Sequence, residues 1–167
     1  TASGLLQQPL SPGKGINIMT YDVAVVGAGP AGLMAAGRVA ELGAKVILLE
    51  KNKISGKKLL ITGKGRCNIT NAEFNLRRLV ENYGKNGRFL FHAFSVFGPK
   101  EAIAFFEGLG LKTEVERGKR VFPVRDRAQD VADALNKYLA KNKADVIYGA
   151  EVIEVVFKSQ KIEKLIL

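Results

Sequence analysis

The chain has no tryptophan, one cysteine and one histidine among its 167 residues. The single cysteine, Cys67, excludes an internal disulfide and favours a reducing compartment, so we expect a cytoplasmic protein. One histidine and one cysteine argue against a metal site, and we expect none. The serine, histidine and acid set that acyl transfer requires is not recognisable either.

Long apolar runs are also absent, and none approaches the length that spans a bilayer. Basic residues are in excess, with 26 Lys and Arg against 16 Asp and Glu and a net charge of +10. Such an excess occurs in proteins that bind nucleic acid or membrane surfaces. The sequence, however, shows no basic patch interleaved with aromatic residues of the kind that stacks bases. We therefore expect a small-molecule substrate, and neither nucleic acid nor a membrane as a partner.

The two ends of the chain differ from its middle. Residues 1–18 are rich in Gly, Pro, Ser and Gln without periodicity, and we interpret them as a leader added before a natural start at Met19. A native flexible arm is the alternative. Residues 19–167 then form one domain. Its last segment, 161–167, has a strand pattern that needs a further neighbour, so we expect the N-terminal part of a longer protein, with the remainder of its own chain as partner.

The most informative segment runs from Val23 to Glu50, as an apolar strand, a glycine turn, a helix, a second strand and an acid. Gly27 permits a tight turn, Gly29 lets a pyrophosphate approach the backbone, and Gly32 lets the helix lie close on the sheet. The helix dipole favours the phosphates, and Glu50 is placed to accept hydrogen bonds from an unphosphorylated ribose. The pattern predicts a dinucleotide-binding unit without separating FAD from NAD. The alternative is an ordinary glycine-rich turn.

Periodicity and turn residues predict the remaining elements. They are helices over 30–42 and 75–82 and from Pro99 to Gly108 or Gly110, a hairpin over 112–123 that turns near Gly118, a long helix capped by Asp126, and strands over 44–50, 144–148, 152–157 and 161–167. Residues 52–71 are predicted to form a long loop rich in glycine and lysine, and loops of that length are usually functional.

A second unusual motif lies in that loop, from Lys57 to Asn71. Gly63 and Gly65 allow backbone conformations closed to other residues, and successive amides in such a loop can form an anion-binding nest. Arg66 can fork onto phosphate oxygens. The motif predicts a second contact with a phosphate or a ring, and a solvated surface loop is the alternative. For the cysteine of the motif, packing is a better interpretation than chemistry, because no second cysteine accompanies it.

Together the two motifs resemble the BaiN/YhiN-type flavoproteins, which include aminoacetone-oxidase-like FAD enzymes. The resemblance rests on residues 26–36, 49–51, 56–71 and 120–123, and it runs from about Tyr21 to the end of the chain. Its most specific part is Gly65-Arg-Cys-Asn-Ile-Thr-Asn71. The resemblance implies an α/β fold, namely a Rossmann-like, FAD/NAD(P)-binding three-layer fold with a mostly parallel sheet, here truncated. Members of the family are longer and carry an inserted second domain.

The resemblance also implies FAD as the cofactor and assigns residues to it. These are Gly27, Gly29, Pro30, Ala31 and Gly32 at the pyrophosphate, Glu50 at the adenosine ribose with Lys51 and Lys58 beside it, Gly63, Gly65, Arg66, Cys67 and Asn68 on the flavin side, and the backbone of Val152 at the adenine. It identifies no catalytic acid or base. The expected function is hydride transfer through the flavin of an oxidoreductase, with NAD(P)H as a candidate electron donor. The alternative is a non-catalytic dinucleotide-binding module.

Overall fold

A computed structural model describes residues 4–6 and 19–167. The chain divides into two compact units, residues 1–57 with 135–167 and residues 58–134, which are described separately.

The strands are β1 Gly4–Leu6, β2 Met19–Tyr21, β3 Val23–Val26, β4 Val46–Glu50, β5 Thr70–Asn71, β6 Thr113–Glu116, β7 Arg120–Pro123, β8 Asp145–Tyr148, β9 Glu154–Lys158 and β10 Lys161–Ile166. The α-helices are α1 Pro30–Glu41, α2 Leu76–Glu81, α3 Phe91–Val96, α4 Pro99–Gly108 and α5 Ala128–Lys141, and 3-10 segments cover Leu59–Gly65 and Gly84–Leu90.

Three parallel strands form a sheet in the first unit, in the order β3-β4-β8. The central strand, β4, is buried at all five of its residues. A strand that is paired on both edges and covered on both faces requires such a continuous apolar run. The strand, helix and strand from β3 to β4 follow the predicted order. The Rossmann-like α/β class with a parallel sheet is therefore confirmed.

The two faces of β4 are covered by different layers. On one face, Ile47 and Leu49 pack with residues of a second, four-stranded sheet of order β2-β1-β10-β9 and with the segment that follows β8. The buried members of this cluster are Tyr21, Ile47, Leu49, Ala150 and Leu165. On the other face α1 buries Leu33 and Ala36 completely. Because neighbouring strand residues point to opposite faces, one short strand serves both layers.

The strand β1 lies within the segment that we interpret as a leader or arm. It pairs in parallel with β10 and antiparallel with β2. It thus supplies on one side of β10 the neighbour that the pattern of residues 161–167 needs, while β9 lies on the other side. The other residues of the 1–18 segment lie outside the described part of the chain.

Most predicted helix ends are found in the structure. Asn75 caps α2 by accepting from the Arg78 amide at 3.1 Å, and Gly98 precedes Pro99 at the start of α4. The prediction that Asp126 caps the long helix is wrong, because α5 begins at Ala128 and the residue before it is Arg127. The Asp126 carboxylate is engaged elsewhere, as described below. None of the helices in the described residues is long and apolar enough to cross a bilayer.

The second unit contains a small antiparallel sheet of order β5-β7-β6. The strands β6 and β7 form the predicted hairpin, with Gly118 in the left-handed region at the turn (φ +78°). The prediction of a long loop over 52–71 without structure of its own is wrong in part, since short 3-10 turns, interrupted from Thr62 to Lys64, and the two-residue strand β5 lie within it. The turns are closed by local hydrogen bonds that periodicity does not reveal.

Two helices of the first unit meet at Gly37 of α1, where a Cβ would lie 2.4 Å from Cδ1 and Cε1 of Tyr138. The Tyr138 ring is buried and its hydroxyl donates to Oε2 of Glu41 at 2.7 Å, so the ring is not free to move. Burial and this bond raise the pKa of Tyr138 to about 12. We expect Gly37→Ala to destabilise the chain by about 1–3 kcal/mol in urea unfolding, because the added methyl overpacks the contact.

A matched control is Gly108→Ala at the end of α4, where no described atom lies within 4 Å of the added Cβ. That variant should be neutral or gain up to about 1 kcal/mol, because alanine is the better helix former. Equal effects of the two substitutions would contradict a tight contact at Gly37.

Candidate functional site

Three glycines shape the turn between β3 and α1, and they have different tasks. Gly27 adopts φ +96° and its amide donates to the Leu49 carbonyl at 2.7 Å, which ties the turn to β4. At Gly32 a Cβ would lie 1.9 Å from the Gly27 oxygen, so only glycine fits there. Gly29 is extended (φ −74°), and no described atom lies within 4 Å of a Cβ built on it. Because the described chain does not demand a glycine at position 29, the space in front of it is available to a ligand.

The start of α1 faces the same turn. Within the described residues, no side chain caps this helix, and its first turn carries no acidic residue. Pro30 occupies the first helical position and lacks an amide hydrogen, while the amides of Ala31 and Gly32 have no partners inside the helix. Amide donors and the positive end of the helix dipole together suit an anion. A pyrophosphate therefore fits this cradle in both shape and charge.

Glu50 closes the cradle at the end of β4, and its side chain is buried. Its Oε2 accepts from the Ala28 amide at 2.6 Å. Its Oε1 accepts from the Asn52 amide at 2.8 Å and from the Asn52 side chain at 2.5 Å. A carboxylate has about four acceptor sites, so a site remains for one further donor such as a ribose hydroxyl.

The charge of Glu50 is maintained by these bonds. Burial by itself raises the pKa of its carboxyl, but the amides of Asn52 and Ala28, the Asn52 side chain and the charge of Lys51 outweigh burial, and the pKa lies below its ordinary value. Sequence reasoning identified Glu50 but missed Ala28 and Asn52. The one local signal was an asparagine two residues after the acid, a spacing at which side chain and backbone can bond.

Lys51 and Val152 lie near the same end of the sheet. Lys51 is exposed and pairs with Glu151 at 3.4 Å, an exposed contact of little energetic value. Val152 is half-buried and packs against the core cluster, and the Ala150 amide donates to the Glu50 carbonyl at 2.9 Å. Val152 precedes β9 rather than lying in it, so its predicted place within a strand is wrong by two residues. The structure thus places the glycine turn, Glu50, Lys51 and Val152 together within the first unit.

The remaining predicted residues, Lys58 to Asn68, belong to the second unit. Their backbone turns repeatedly through the left-handed region, with φ of +56° at Gly63, +84° at Gly65 and +62° at Cys67. A Cβ at Gly63 would lie 3.2 Å from the Asn68 amide nitrogen, which explains the glycine. Lys58 and Asn68 are exposed. The turns of this loop are of the kind that forms backbone nests.

Arg66 has partners within the protein. Its Nε donates to Oδ1 of Asp126 at 2.5 Å, and its terminal nitrogens bond the carboxylate of Glu116. Its guanidinium also lies 4.1 Å from the centre of the Phe122 ring. Glu116 and Asp126 hold the pKa of Arg66 above its ordinary value. The fork that the sequence suggested for phosphate oxygens therefore fastens the loop to the β6–β7 hairpin and to the segment before α5.

The acidic side chains around Arg66 have a further property. Glu114, Glu116 and Asp126 lie close enough together to share a cation. The Arg66 guanidinium already supplies a positive charge to two of them. The salt bridges of Arg66 to Glu116 and Asp126 therefore explain why these acidic residues lie close together.

Cys67 is buried, with 6% of its surface exposed. Burial raises the pKa of its thiol, although a hydrogen bond with the Thr62 side chain works in the opposite direction. A thiol in such surroundings stays protonated and is a poor nucleophile. This geometry supports the interpretation of Cys67 as a packing residue.

Comparison with known proteins identifies a matching family and several relatives. Residues 21–166 match the family described as the HI0933-like protein Rossmann domain. The 3-dehydro-bile acid delta(4,6)-reductase of Clostridium scindens is 33% identical over 132 residues, which cover 78% of this chain and 31% of the relative. The ribosomal RNA dihydrouridine synthase of Escherichia coli is 27% identical over 135 residues, or 81% of this chain and 33% of the relative. The chain thus spans about a third of the length of these relatives.

Solved structures give the same fold. The open conformation of a flavocytochrome c3 fumarate reductase superposes with a TM-score of 0.64 at 24% identity, covering 83% of this chain and 28% of that one. Mycobacterium smegmatis Sdh1 superposes with a TM-score of 0.64 at 19% identity, covering 85% of this chain and 29% of that one. The family match covers nearly all of the chain beyond the first strands, and the resemblance found in the two motifs is confirmed. The chain belongs to the HI0933-like Rossmann-domain family.

Proposed function

We propose that this chain is the FAD-binding part of a flavin-dependent oxidoreductase. The observation that carries the proposal is the glycine turn, where an uncapped helix start faces open space at Gly29. Family membership supports it. When bound, FAD supplies the hydride-transfer chemistry, and the protein supplies binding and orientation. A chain that retains FAD but never exchanges a hydride would instead be a non-catalytic dinucleotide-binding module.

Several of the predicted residues have defined tasks in this proposal. The amides of Ala31 and Gly32 donate to the pyrophosphate, and Gly29 lets it approach. The Glu50 carboxylate accepts from the adenosine ribose and repels a 2′-phosphate. The backbone of Val152 contacts the adenine, and the loop from Gly63 to Asn68 lies on the flavin side. No residue of the chain is proposed as a catalytic acid or base.

The proposal extends to the full-length protein. One relative is named a reductase, and we propose that the complete protein reduces a small molecule with NAD(P)H as electron donor. Segments beyond those described, comparable to the parts of the relatives that this chain does not cover, would complete the catalytic site. With a single cysteine that is buried and protonated, the chain suits the reducing conditions of the cytoplasm, where we place it.

The first test is Gly29→Val. In the described structure no atom lies within 4 Å of the new Cβ, so the urea midpoint should change little. It would occupy the space proposed for the pyrophosphate, so FAD affinity should fall by at least about tenfold, or about 1.4 kcal/mol. Titration of FAD fluorescence measures the affinity. Gly108→Val is the control, because no described atom lies within 4 Å of its new Cβ either, and it should bind as the unmodified chain does. Unchanged affinity of Gly29→Val would refute the proposed cradle.

The second test concerns Glu50→Gln. An amide offers one acceptor where the carboxylate serves two backbone donors, so the Ala28 or Asn52 amide loses its partner. The loss of one such buried bond costs about 1–3 kcal/mol, and FAD affinity should fall as well. Glu151→Gln, which removes only an exposed ion pair, should change the free energy of unfolding by less than about 1 kcal/mol. A fully stable Glu50→Gln variant would contradict the bonding described.

The same variant has a defined pH dependence. The pKa of Glu50 is lowered in the folded chain. Its ionised form therefore contributes stability above the unfolded pKa of about 4.3, and this contribution is lost as the pH falls through the folded pKa. The difference in unfolding free energy between the unmodified chain and Glu50→Gln should accordingly narrow below about pH 4. Urea unfolding between pH 7 and pH 3 checks this, and a constant difference would be the contrary result.

A further inference from the structure

The second unit has an open cleft of about 670 Å³ that the proposed function does not use. It is lined by Tyr83, Lys85, Asn86, Arg88, Phe89 and Leu90. These residues follow α2 and include most of the 3-10 segment Gly84–Leu90. None of the residues predicted to hold FAD is part of this lining.

The 3-10 segment is fixed to its neighbour by a glycine. Gly87 is buried, and a Cβ there would lie 2.0 Å from the Val80 carbonyl oxygen of α2. The backbone of the segment therefore lies directly on the helix at this point. Asn86 and Arg88, on either side of Gly87, are exposed. The close contact thus holds the backbone of a segment whose polar side chains are exposed to solvent.

The aromatic residues of the cleft have free ring surface. Phe89 is 88% exposed, and Tyr83 is 53% exposed. The Tyr83 ring is held at one side by Phe94, with the ring centroids 5.5 Å apart. Exposed aromatic faces of this kind are platforms on which a flat heterocycle stacks.

The cations of the cleft are Lys85 and Arg88. In the part of the chain that the structure describes, neither Lys85 nor Arg88 forms an ion pair, whereas Arg66 and Lys119 of the same unit are each paired with a carboxylate. Residues 76–100 contain five Lys and Arg against one acid, Glu81. Uncompensated positive charge around an aromatic platform suits a ligand that is both flat and anionic.

We propose that this cleft binds a nucleoside phosphate, with the base on Phe89 and Tyr83 and the phosphate on Lys85 and Arg88. The Asn86 amide offers both a donor and an acceptor to the edge of the base. An apolar partner would leave both cations buried and unpaired, which is costly.

This ligand chemistry has two sources, a free nucleotide or one nucleotide of a single strand. The sequence argued against nucleic acid because no basic patch with interleaved aromatic residues was recognised. In the structure, the contiguous residues from Tyr83 to Leu90 form such a patch. The cleft stands independently of the FAD proposal, because its lining and its charges do not involve the glycine turn.

The test uses two probes with the complete chain. UMP is titrated by calorimetry, and fluorescein-labelled oligo(U) of twelve nucleotides is titrated by fluorescence anisotropy. We expect saturable binding that Phe89→Leu and Arg88→Glu each weaken by at least about tenfold. The leucine variant keeps an apolar side chain and removes only the flat ring. Both residues are exposed, so urea midpoints should remain unchanged.

Matched controls come from the first unit. Phe157→Leu alters an aromatic side chain that is 65% exposed on β9, and Lys161→Glu reverses an exposed cation on β10. Both should bind the probes as the unmodified chain does. Comparable affinity for UMP and the oligonucleotide supports a free nucleotide as the ligand, and much tighter binding of the oligonucleotide supports a strand.

Three results would overturn the proposal. The first is no saturable binding of either probe at millimolar concentration. The second is binding that the cleft variants and the control variants weaken equally. The third is competition by inorganic phosphate as effective as that by UMP together with full affinity of Phe89→Leu, because the site would then recognise an anion without a base.

Discussion

The first unit depends on one buried carboxylate. Glu50 ends the central strand, and its two oxygens hold backbone amides from two different segments, at Ala28 in the glycine turn and at Asn52 in the following loop. A buried ion is tolerated only when its hydrogen-bonding capacity is used, and here three donors use most of it. The conformation of the turn, the start of α1 and the direction of the chain after β4 are therefore set by the same group.

Two glycines of the turn, Gly32 and Gly29, differ in whether the fold requires them. Gly32 is required by the protein itself, because any side chain would collide with the Gly27 carbonyl oxygen. Gly29 has an ordinary backbone conformation and faces open space, so no contact with the described chain explains it. The structure thus separates a glycine that the fold requires from one that it does not require, although the two look alike in the sequence motif.

Local patterns predicted the order of strands and helices, because β-branched runs, helix periods and glycine or proline ends act over a few residues. The errors arose where distant residues decide. Aspartate is a residue type that often caps helices, which is why Asp126 was predicted as a cap. Its carboxylate instead accepts a hydrogen bond from Arg66, sixty positions earlier. The bond from the Ala28 amide to the Glu50 carboxylate was not predicted, because it depends on the two strands lying side by side. The cleft is an exception, because its rings and cations lie within one stretch, Tyr83 to Leu90, and the sequence alone could have shown them.

The division of the chain has a consequence for its synthesis on the ribosome. The first unit is discontinuous, since β4 needs β8 beside it and the Glu50 carbonyl needs the Ala150 amide. Residues 58–134 are translated between these partners and form a contiguous unit. They can pack while the β-α-β segment before them still waits for its remaining strand to emerge. A chain truncated before residue 145 and released from the ribosome would therefore be better protected from proteases in the middle of its sequence than near its amino terminus.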